Sequence, residues 1–242
     1  MNKYGLLGKN ISYSFSKKYF TEKFDKAGIA AQYLNFDLPH LGTFSEILGN
    51  HPDLKGLNVT IPYKETIIPY LSELAPTARE IGAVNTIEFS PKGLIGHNTD
   101  FHGFLESIRP FLKPEHKKAL ILGTGGASKA VEYALQTLNI KSLKVSRTKA
   151  PHQITYGEID ADLLKEHLVI VNCTPLGTHP DVLGIPPIPT DHLTKQHLVY
   201  DLIYNPAETA LMQKASVKGA QVSNGYQMLL LQAEEAWRIW NS

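Results

Sequence analysis

Lys118-Ala119-Leu120-Ile121-Leu122-Gly123-Thr124-Gly125-Gly126-Ala127 is the stretch on which the fold turns. The unbroken apolar run Ala119–Leu122 has the pattern of a strand buried on both faces, as in parallel sheets covered by helices on each side. Glycines follow at once, and beyond them Ala127, Val131, Ala134, Leu135 and Leu138 recur at helical spacing. Strand, glycine-rich turn and helix in that order let backbone amides approach a pyrophosphate at a helix N-terminus. A tight βα turn with no ligand would use the same residues, so the turn takes its meaning from its surroundings. A triphosphate-binding P-loop does not fit, because Lys129 stands between Ser128 and Ala130.

Outward from this unit, short apolar strands alternate with helical patterns, which predicts an α/β fold with largely parallel sheets. Downstream strands are expected at Leu143–Ser146, Leu168–Val171, Leu198–Asp201 and Gln221–Ser223. Upstream strands are expected at Tyr4–Leu7, Gln32–Asp37 and Gly56–Val59. Phe15, Tyr19, Phe20, Phe24 and Ala27 mark a helix between the first two. Thr86–Phe89 and Leu94–His97 read as a hairpin turned by Pro91-Lys92-Gly93. A helix from about Asp100 to Leu112 follows, and Tyr226, Leu229, Leu230, Ala233, Trp237 and Trp240 mark a final amphipathic one. Pro186, Pro187 and Pro189 stiffen a loop between strands. The pattern predicts two α/β domains with a boundary near Asp100.

The 242 residues suffice for one large domain or two small ones, and 43% apolar content fits a folded globular chain. Lysine plus arginine number 24 against 23 acidic residues, a net charge of +1 that argues against a nucleic-acid partner. No apolar run approaches the roughly 20 residues of a membrane span. The start, Met1–Gly5, enters a strand pattern without the apolar core of a signal peptide. Cys173 is the only cysteine, so neither an internal disulfide nor a multi-thiolate metal site is expected. The histidines are scattered, with no His-Glu-x-x-His helix. These bounds predict a cytoplasmic protein of small-molecule chemistry, with no nucleic-acid, membrane or metal partner.

The strand after the glycine turn ends in Ser146-Arg147-Thr148-Lys149. NAD sites usually place a carboxylate there for the ribose 2′-hydroxyl. Two cations and two hydroxyls instead suit a 2′-phosphate, and the Arg147 guanidinium could stack on adenine. A solvated basic loop is the plain alternative; the preceding glycines tip the balance toward NADP.

Three further segments carry more polar residues than core strands need. Ser12-Tyr13-Ser14-Phe15-Ser16 precedes a helix, and an N-cap explains one serine but not three at alternate positions. Asn58-Val59-Thr60-Ile61-Pro62-Tyr63-Lys64 ends a strand and leads into an expected helix. Asn58, Thr60 and Lys64 therefore fall where open α/β sheets bind ligands, although an exposed helix lysine would be unremarkable. Ala83-Val84-Asn85-Thr86 and Gly96-His97-Asn98-Thr99-Asp100 complete the set, with Asp100 also suited to cap the next helix.

These segments occur in the order found in the shikimate dehydrogenase family. So do the glycine turn, Arg147-Thr148, Asn172-Cys173-Thr174-Pro175-Leu176-Gly177, Tyr200-Asp201-Leu202-Ile203-Tyr204-Asn205-Pro206 and Met228-Leu229-Leu230-Leu231-Gln232-Ala233. The chain resembles that family over essentially its whole length. The resemblance implies NADPH-dependent reduction of 3-dehydroshikimate to shikimate in aromatic amino-acid biosynthesis. It implies a substrate domain of 1–99 plus 225–242, the last helix returning to it, and a Rossmann-like NADP domain of 100–224. It assigns Ser14 and Ser16, with Tyr204, to the substrate carboxylate. Asn58, Thr60, Asn85, Asp100 and Gln232 would meet ring hydroxyls, and Lys64 and Asp100 would form the catalytic pair. To the cofactor it assigns Gly123, Thr124, Gly125, Gly126, Ala127, Ser146, Arg147, Thr148, Lys149, Asn172, Thr174, Pro175, Leu202, Gly225 and Met228. The implied protein is a monomer or homodimer.

Several positions depart from the family pattern: Tyr13 for histidine, Lys17 for proline, Phe101 for glycine, Ser146 for asparagine, Thr178 for methionine and Gln227 for glycine. None is Lys64 or Asp100. Hydride addition to a ketone builds negative charge on oxygen, which calls for a cation or proton donor beside it. Lys64 is expected to be that acid–base residue and Asp100 its orienter, with Cys173 packing near the nicotinamide rather than acting as a nucleophile. Two alternatives stay open: a relative acting on quinate with NAD, and a non-catalytic metabolite sensor on the same fold.

Overall fold

The structure, a computed structural model, describes residues 1–11 and 14–242. Ser12 and Tyr13, with the expectations placed on them, lie outside the described residues. The chain forms two compact units, Met1–Thr99 with Ala233–Ser242, and Asp100–Gln232.

The first unit runs β1 (Asn2–Gly8), α1 (Phe15–Ala27), β2 (Ala31–Asp37), α2 (Phe44–Asn50), β3 (Leu54–Val59), β4 (Glu73–Leu74), α3 (Pro76–Ile81), β5 (Thr86–Ser90) and β6 (Gly93–His97). Its sheet has the order β2-β1-β3-β5-β6-β4, with β1 parallel to β2 and β3 and the β5–β6 hairpin antiparallel. Strand alternation sorts the side chains. Tyr4 and Leu6 pack with Phe20 and Phe24 of α1, whereas Leu7, Leu57 and Val59 pack on the other face with Phe44. Helix α1 starts at the Ser14 cap and stops at Gly28, whose φ of 61° is the left-handed conformation glycine adopts without penalty.

Gly56 of β3 lies under the Trp240 ring, and Trp240 Nε1 donates to the Ile87 carbonyl at 3.0 Å. A methyl group at position 56 would overlap that indole. Gly56→Ala is therefore expected to lower unfolding free energy by about 1–3 kcal/mol, the usual cost of overpacking a dense core. A urea midpoint equal to that of the parent would show that Trp240 repacks freely.

The second unit contains α4 (Thr99–Ile108, its first residue belonging to the first unit), β7 (Lys118–Leu122), α5 (Gly126–Thr137), β8 (Lys141–Ser146), β9 (Gln153–Thr155), α6 (Ala161–Glu166), β10 (Val169–Asn172), β11 (Leu198–Asp201), α7 (Ala210–Val217) and β12 (Gln221–Ser223). Its sheet is wholly parallel, in the order β12-β11-β10-β7-β8-β9. That is the doubly wound arrangement, with its reversal point between β7 and β10. Ala119 and Ile121 enter one core and Leu120 and Leu122 the other, which is why this strand reads as continuous apolar sequence.

The last helix, α8 (Tyr226–Trp240), is divided. Ala233 onward belongs to the first unit, while Met228 lies in the core of the second. The helix expected to reach Leu112 ends at Ile108 and continues as a 3₁₀ turn, Arg109–Phe111, because Pro110 has no amide to donate. Residues 61–67 form turns, not the expected helix, with Pro62 at their start. Helices α2, α3, α6 and α7 and strands β4 and β9 are too short for periodicity to reveal.

Two buried histidines staple loops of the second unit. His197 Nδ1 accepts the Thr194 amide at 3.0 Å and Nε2 faces the Leu164 carbonyl at 3.0 Å; His116 makes the same kind of bridge between the Lys113 amide and the Gln196 carbonyl. Burial holds the His197 pKa below the ordinary imidazole value, and burial does the same to His167. The unfolded chain therefore binds more protons than the folded one below about pH 6.5, so stability falls on acidification from there. The urea midpoint is expected to drop between pH 7.5 and 5.5, and to drop less in a His197→Gln variant. An equal drop in both would exclude His197 as a source.

Candidate active site

In the first unit the chain reverses its winding between β1 and β3, where the order is β2-β1-β3. Ligands of open α/β sheets settle at such points, beyond the carboxyl ends of the strands. Ser14, Asn58 and Thr60 follow or end these two strands. Ser14 caps α1, its Oγ accepting the Lys17 amide at 3.2 Å, so the plain N-cap explanation holds for this serine. The cap uses an oxygen lone pair and leaves the hydroxyl hydrogen for an acceptor, beside a helix N-terminus that favours anions. Thr60 is tied to β1 by its amide, which donates to the Leu7 carbonyl at 2.9 Å. A side chain at Gly8 would strike Thr60 and Ile11, so this close approach needs glycine.

Asn58 is only 4% exposed, since alternation along β3 turns it to the same side as Gly56. Its Oδ1 accepts the Tyr33 hydroxyl at 2.7 Å, and its Nδ2 donates to Thr86 Oγ1 at 3.1 Å and the Asn85 carbonyl at 3.3 Å. Asn85, equally buried, accepts the Thr99 amide at 2.6 Å and donates to Thr99 Oγ1 at 3.0 Å. Sequence inspection missed Tyr33, Thr86 and Thr99 as members of this network. Tyr33 in a strand looks like packing, and Thr86 and Thr99 stand in the quoted polar segments but were given no part there. Lys64 is half-buried within the 61–67 turns, and its carbonyl accepts the Val84 amide at 2.7 Å, which pins its backbone beside the Asn85 segment.

In the second unit, Asp100 sits buried in the first turn of α4, one residue past Thr99. The N-cap position itself falls to Asn98, whose side chain donates to the Ala83 carbonyl at 3.0 Å; the capping alternative for Asp100 is set aside. Gln232 is buried too, its Nε2 donating to the Leu229 carbonyl at 3.0 Å. At Gly103, α4 comes so near α8 that a methyl group would press on the Met228 carbonyl and Gln232. Tyr204 is 36% exposed in the loop after β11.

The glycine turn leaves β7 through Gly123, whose φ of 106° is closed to most side chains. Thr124 and Gly125 are exposed, and α5 begins after Gly125 with no side chain capping its amides. Space beyond the missing Gly125 Cβ is open for 4 Å. Uncapped amides, bare glycines and a cationic loop after the next strand make a donor set that fits a dinucleotide bearing a 2′-phosphate. Arg147, Thr148 and Lys149 are exposed, and Ser146 Oγ accepts the Thr148 amide at 3.3 Å. One feature differs from the expected loop: Lys149 is ion-paired to Glu158. The Lys149 ammonium, with the Thr155 amide and hydroxyl, holds the Glu158 carboxyl down to about 2. Glu158 lies nine residues beyond Lys149 on the far side of β9, and so was invisible to a motif reading of 146–149.

Asn172 is fully buried, and both ends of its amide are engaged inside the fold. Nδ2 donates to Asp201 Oδ1 at 3.0 Å, and Oδ1 accepts from Thr174 Oγ1 at 2.7 Å and the Thr174 amide at 3.0 Å. Asp201 also takes the Thr209 hydroxyl and the Ile203 amide; burial nevertheless raises its pKa. Asn172 thus shapes the loop, while Thr174 and Pro175 stand nearer solvent. Gly225 and Met228 are buried, and Leu202 is half-buried. A side chain at 225 would overlap the Leu202 carbonyl, and Met228 is a core residue. Burial pushes the Cys173 thiol up, which disfavours the thiolate a nucleophile needs. Among the described residues no cluster of metal-binding side chains occurs, and no helix is long and apolar enough to cross a membrane.

Residues 6–87 match the shikimate dehydrogenase substrate binding domain. The shikimate dehydrogenase (NADP(+)) of Clostridium botulinum is 37% identical over 246 residues, covering 98% of this chain and 95% of the relative. The crystal structure of shikimate dehydrogenase from Aquifex aeolicus superposes with a TM-score of 0.89 at 36% identity, covering 100% of this chain and 92% of that one. The Thermus thermophilus enzyme, in complex with NADP(H) and shikimate, gives 0.87 at 28% identity, covering 99% and 93%. With likeness in sequence and fold running end to end, the chain belongs to the shikimate dehydrogenase family.

Proposed function

We propose that this protein is an NADP-dependent shikimate dehydrogenase that reversibly reduces 3-dehydroshikimate to shikimate, a step of aromatic amino-acid biosynthesis. The observation that carries the reading is the polar network at the β1–β3 reversal point. Thr60 and Lys64 flank it, and such a network suits a small hydroxylated acid better than an apolar one. A pocket made to pair hydroxyls rejects an analogue lacking one by up to roughly 10⁴–10⁵, because buried polar groups are left without partners.

Substrate recognition is assigned to 1–99 with 225–242, and cofactor binding to 100–224. Ser14 and Ser16, with Tyr204, take the carboxylate. Asn58, Thr60, Asn85, Asp100 and Gln232 take the ring hydroxyls. The exposed α5 amides and Arg147 hold the phosphates, with Ser146, Thr148, Thr174, Pro175 and Leu202 shaping their surroundings. Bound NADPH supplies the hydride. Lys64 gives a proton to the ketone oxygen as negative charge gathers there, and in the reverse direction takes the hydroxyl proton back. Asp100 is assigned the part of orienting the Lys64 ammonium. The reading carries with it a cytoplasmic enzyme, monomer or homodimer, with no nucleic-acid or membrane partner.

A spectrophotometric assay tests it: NADPH should be consumed with 3-dehydroshikimate, and NADP⁺ reduced with shikimate far faster than NAD⁺ with quinate. Faster turnover of quinate with NAD⁺ would assign the chain to the quinate-specific branch. Stoichiometric binding without turnover would make it a sensor.

A further inference from the structure

The Tyr33 phenol is 2% exposed and lies against Asn58, a residue of the proposed substrate site. Its hydroxyl donates to Asn58 Oδ1 at 2.7 Å. The direction of this bond is set at the far end of the carboxamide. The Asn85 carbonyl can only accept, so Nδ2 of Asn58 must face it, and Oδ1 must face Tyr33. Nδ2 has two hydrogens, and the Asn85 carbonyl and Thr86 Oγ1 take both. Asn58 is left with one free lone pair on Oδ1, so it meets a ligand as an acceptor only. Tyr33 packs flat on Phe20, ring centroids 4.8 Å apart, which fixes the phenol on the α1 face of the sheet.

We propose that Tyr33 is a positioning residue of the substrate site: its hydroxyl holds the Asn58 carboxamide as a hydrogen-bond acceptor toward a substrate hydroxyl. The inference rests on the substrate reading above and extends it to a residue that touches no substrate. Tyr33→Phe keeps the ring and its stacking on Phe20 and removes only the oxygen. Asn58 Oδ1 then loses its one fixed donor, and the amide plane is no longer held from the α1 side.

Steady-state kinetics of Tyr33→Phe and the parent test this. The KM for shikimate is expected to rise about tenfold, the scale of one buried hydrogen bond lost from a binding site. The KM for NADP⁺ and kcat should stay within about twofold, whereas general loosening of the fold would disturb both substrates. In an Asn58→Ala background the same change should have no further effect on shikimate KM, since coupled residues are non-additive. An unchanged shikimate KM in Tyr33→Phe, or an equal rise in the Asn58→Ala background, overturns the proposal. Should Tyr33→Phe fail to yield folded protein, Thr86→Val releases the same carboxamide from its other side and is expected to show the same KM split; no split there overturns it equally. A parent with no shikimate turnover would defeat the functional reading, and this inference with it. Parent turnover with an indifferent variant defeats this inference alone.

Discussion

Lys64→Ala is expected to lower kcat about 10³-fold while the KM for shikimate changes by no more than about threefold, a general acid–base contribution being commonly 10²–10⁴-fold. Such an interaction is made with charge that exists only in the transition state, so its loss falls on kcat. The backbone gives the side chain a fixed origin: the Lys64 carbonyl takes the Val84 amide at 2.7 Å, and the Tyr63 side chain beside it is buried, its hydroxyl donating to the Leu38 carbonyl at 2.6 Å. Removal of the Lys64 side chain disturbs neither of these backbone and aromatic anchors. Lys64→Arg keeps the charge but cannot give up its proton, so it should recover little of the rate. Turnover near the parent's in Lys64→Ala would remove this residue from the chemistry, and full recovery in Lys64→Arg would reduce its part to electrostatics.

Arg147→Ala should raise the KM for NADP⁺ roughly 30-fold and leave that for NAD⁺ nearly unchanged, on the scale of charge-assisted bonds to a phosphate. The asymmetry follows from the loop. Lys149 is already paired with Glu158, and that carboxylate is itself fastened by the Thr155 amide at 2.7 Å and hydroxyl at 2.9 Å. On the proposed reading, the positive charge offered to a 2′-phosphate then comes chiefly from Arg147. The preference for NADP⁺ should weaken as salt rises, since the groups are exposed and screened. An equal loss for both cofactors would show that Arg147 serves the adenine or the fold rather than the phosphate.

The candidate residues of the proposed site were legible as short motifs, because the features that mark them are local. A glycine turn between an apolar strand and a helix has few uses, and this one leads through exposed Thr124 and Gly125 into an uncapped helix start. Lys64 and Asp100 stood out as charged residues next to polar strand ends. Tyr33 did not, since a tyrosine in a strand is ordinary packing until its hydroxyl is seen on Asn58. Asp201 lay inside a quoted motif, yet only the fold shows it binding Asn172 from the next strand and holding that loop in shape. Glu158 escaped for a different reason. Its partner Lys149 lies before β9 and Glu158 after it, so no spacing rule links them.

Apolar periodicity, the glycine turn and the order of the polar motifs were enough to establish an α/β chain and its family. Each of those signals lives within a few residues of backbone, and the physics of strands, turns and helix starts is local. Which polar groups remain for a ligand is another matter. Register sets Thr86 of β5 directly opposite Asn58 of β3, and Tyr33 reaches Asn58 from β2 across the intervening β1. A hydrogen bond spent inside the protein is not available to a substrate, and that account could be drawn up only once distant strands were in place.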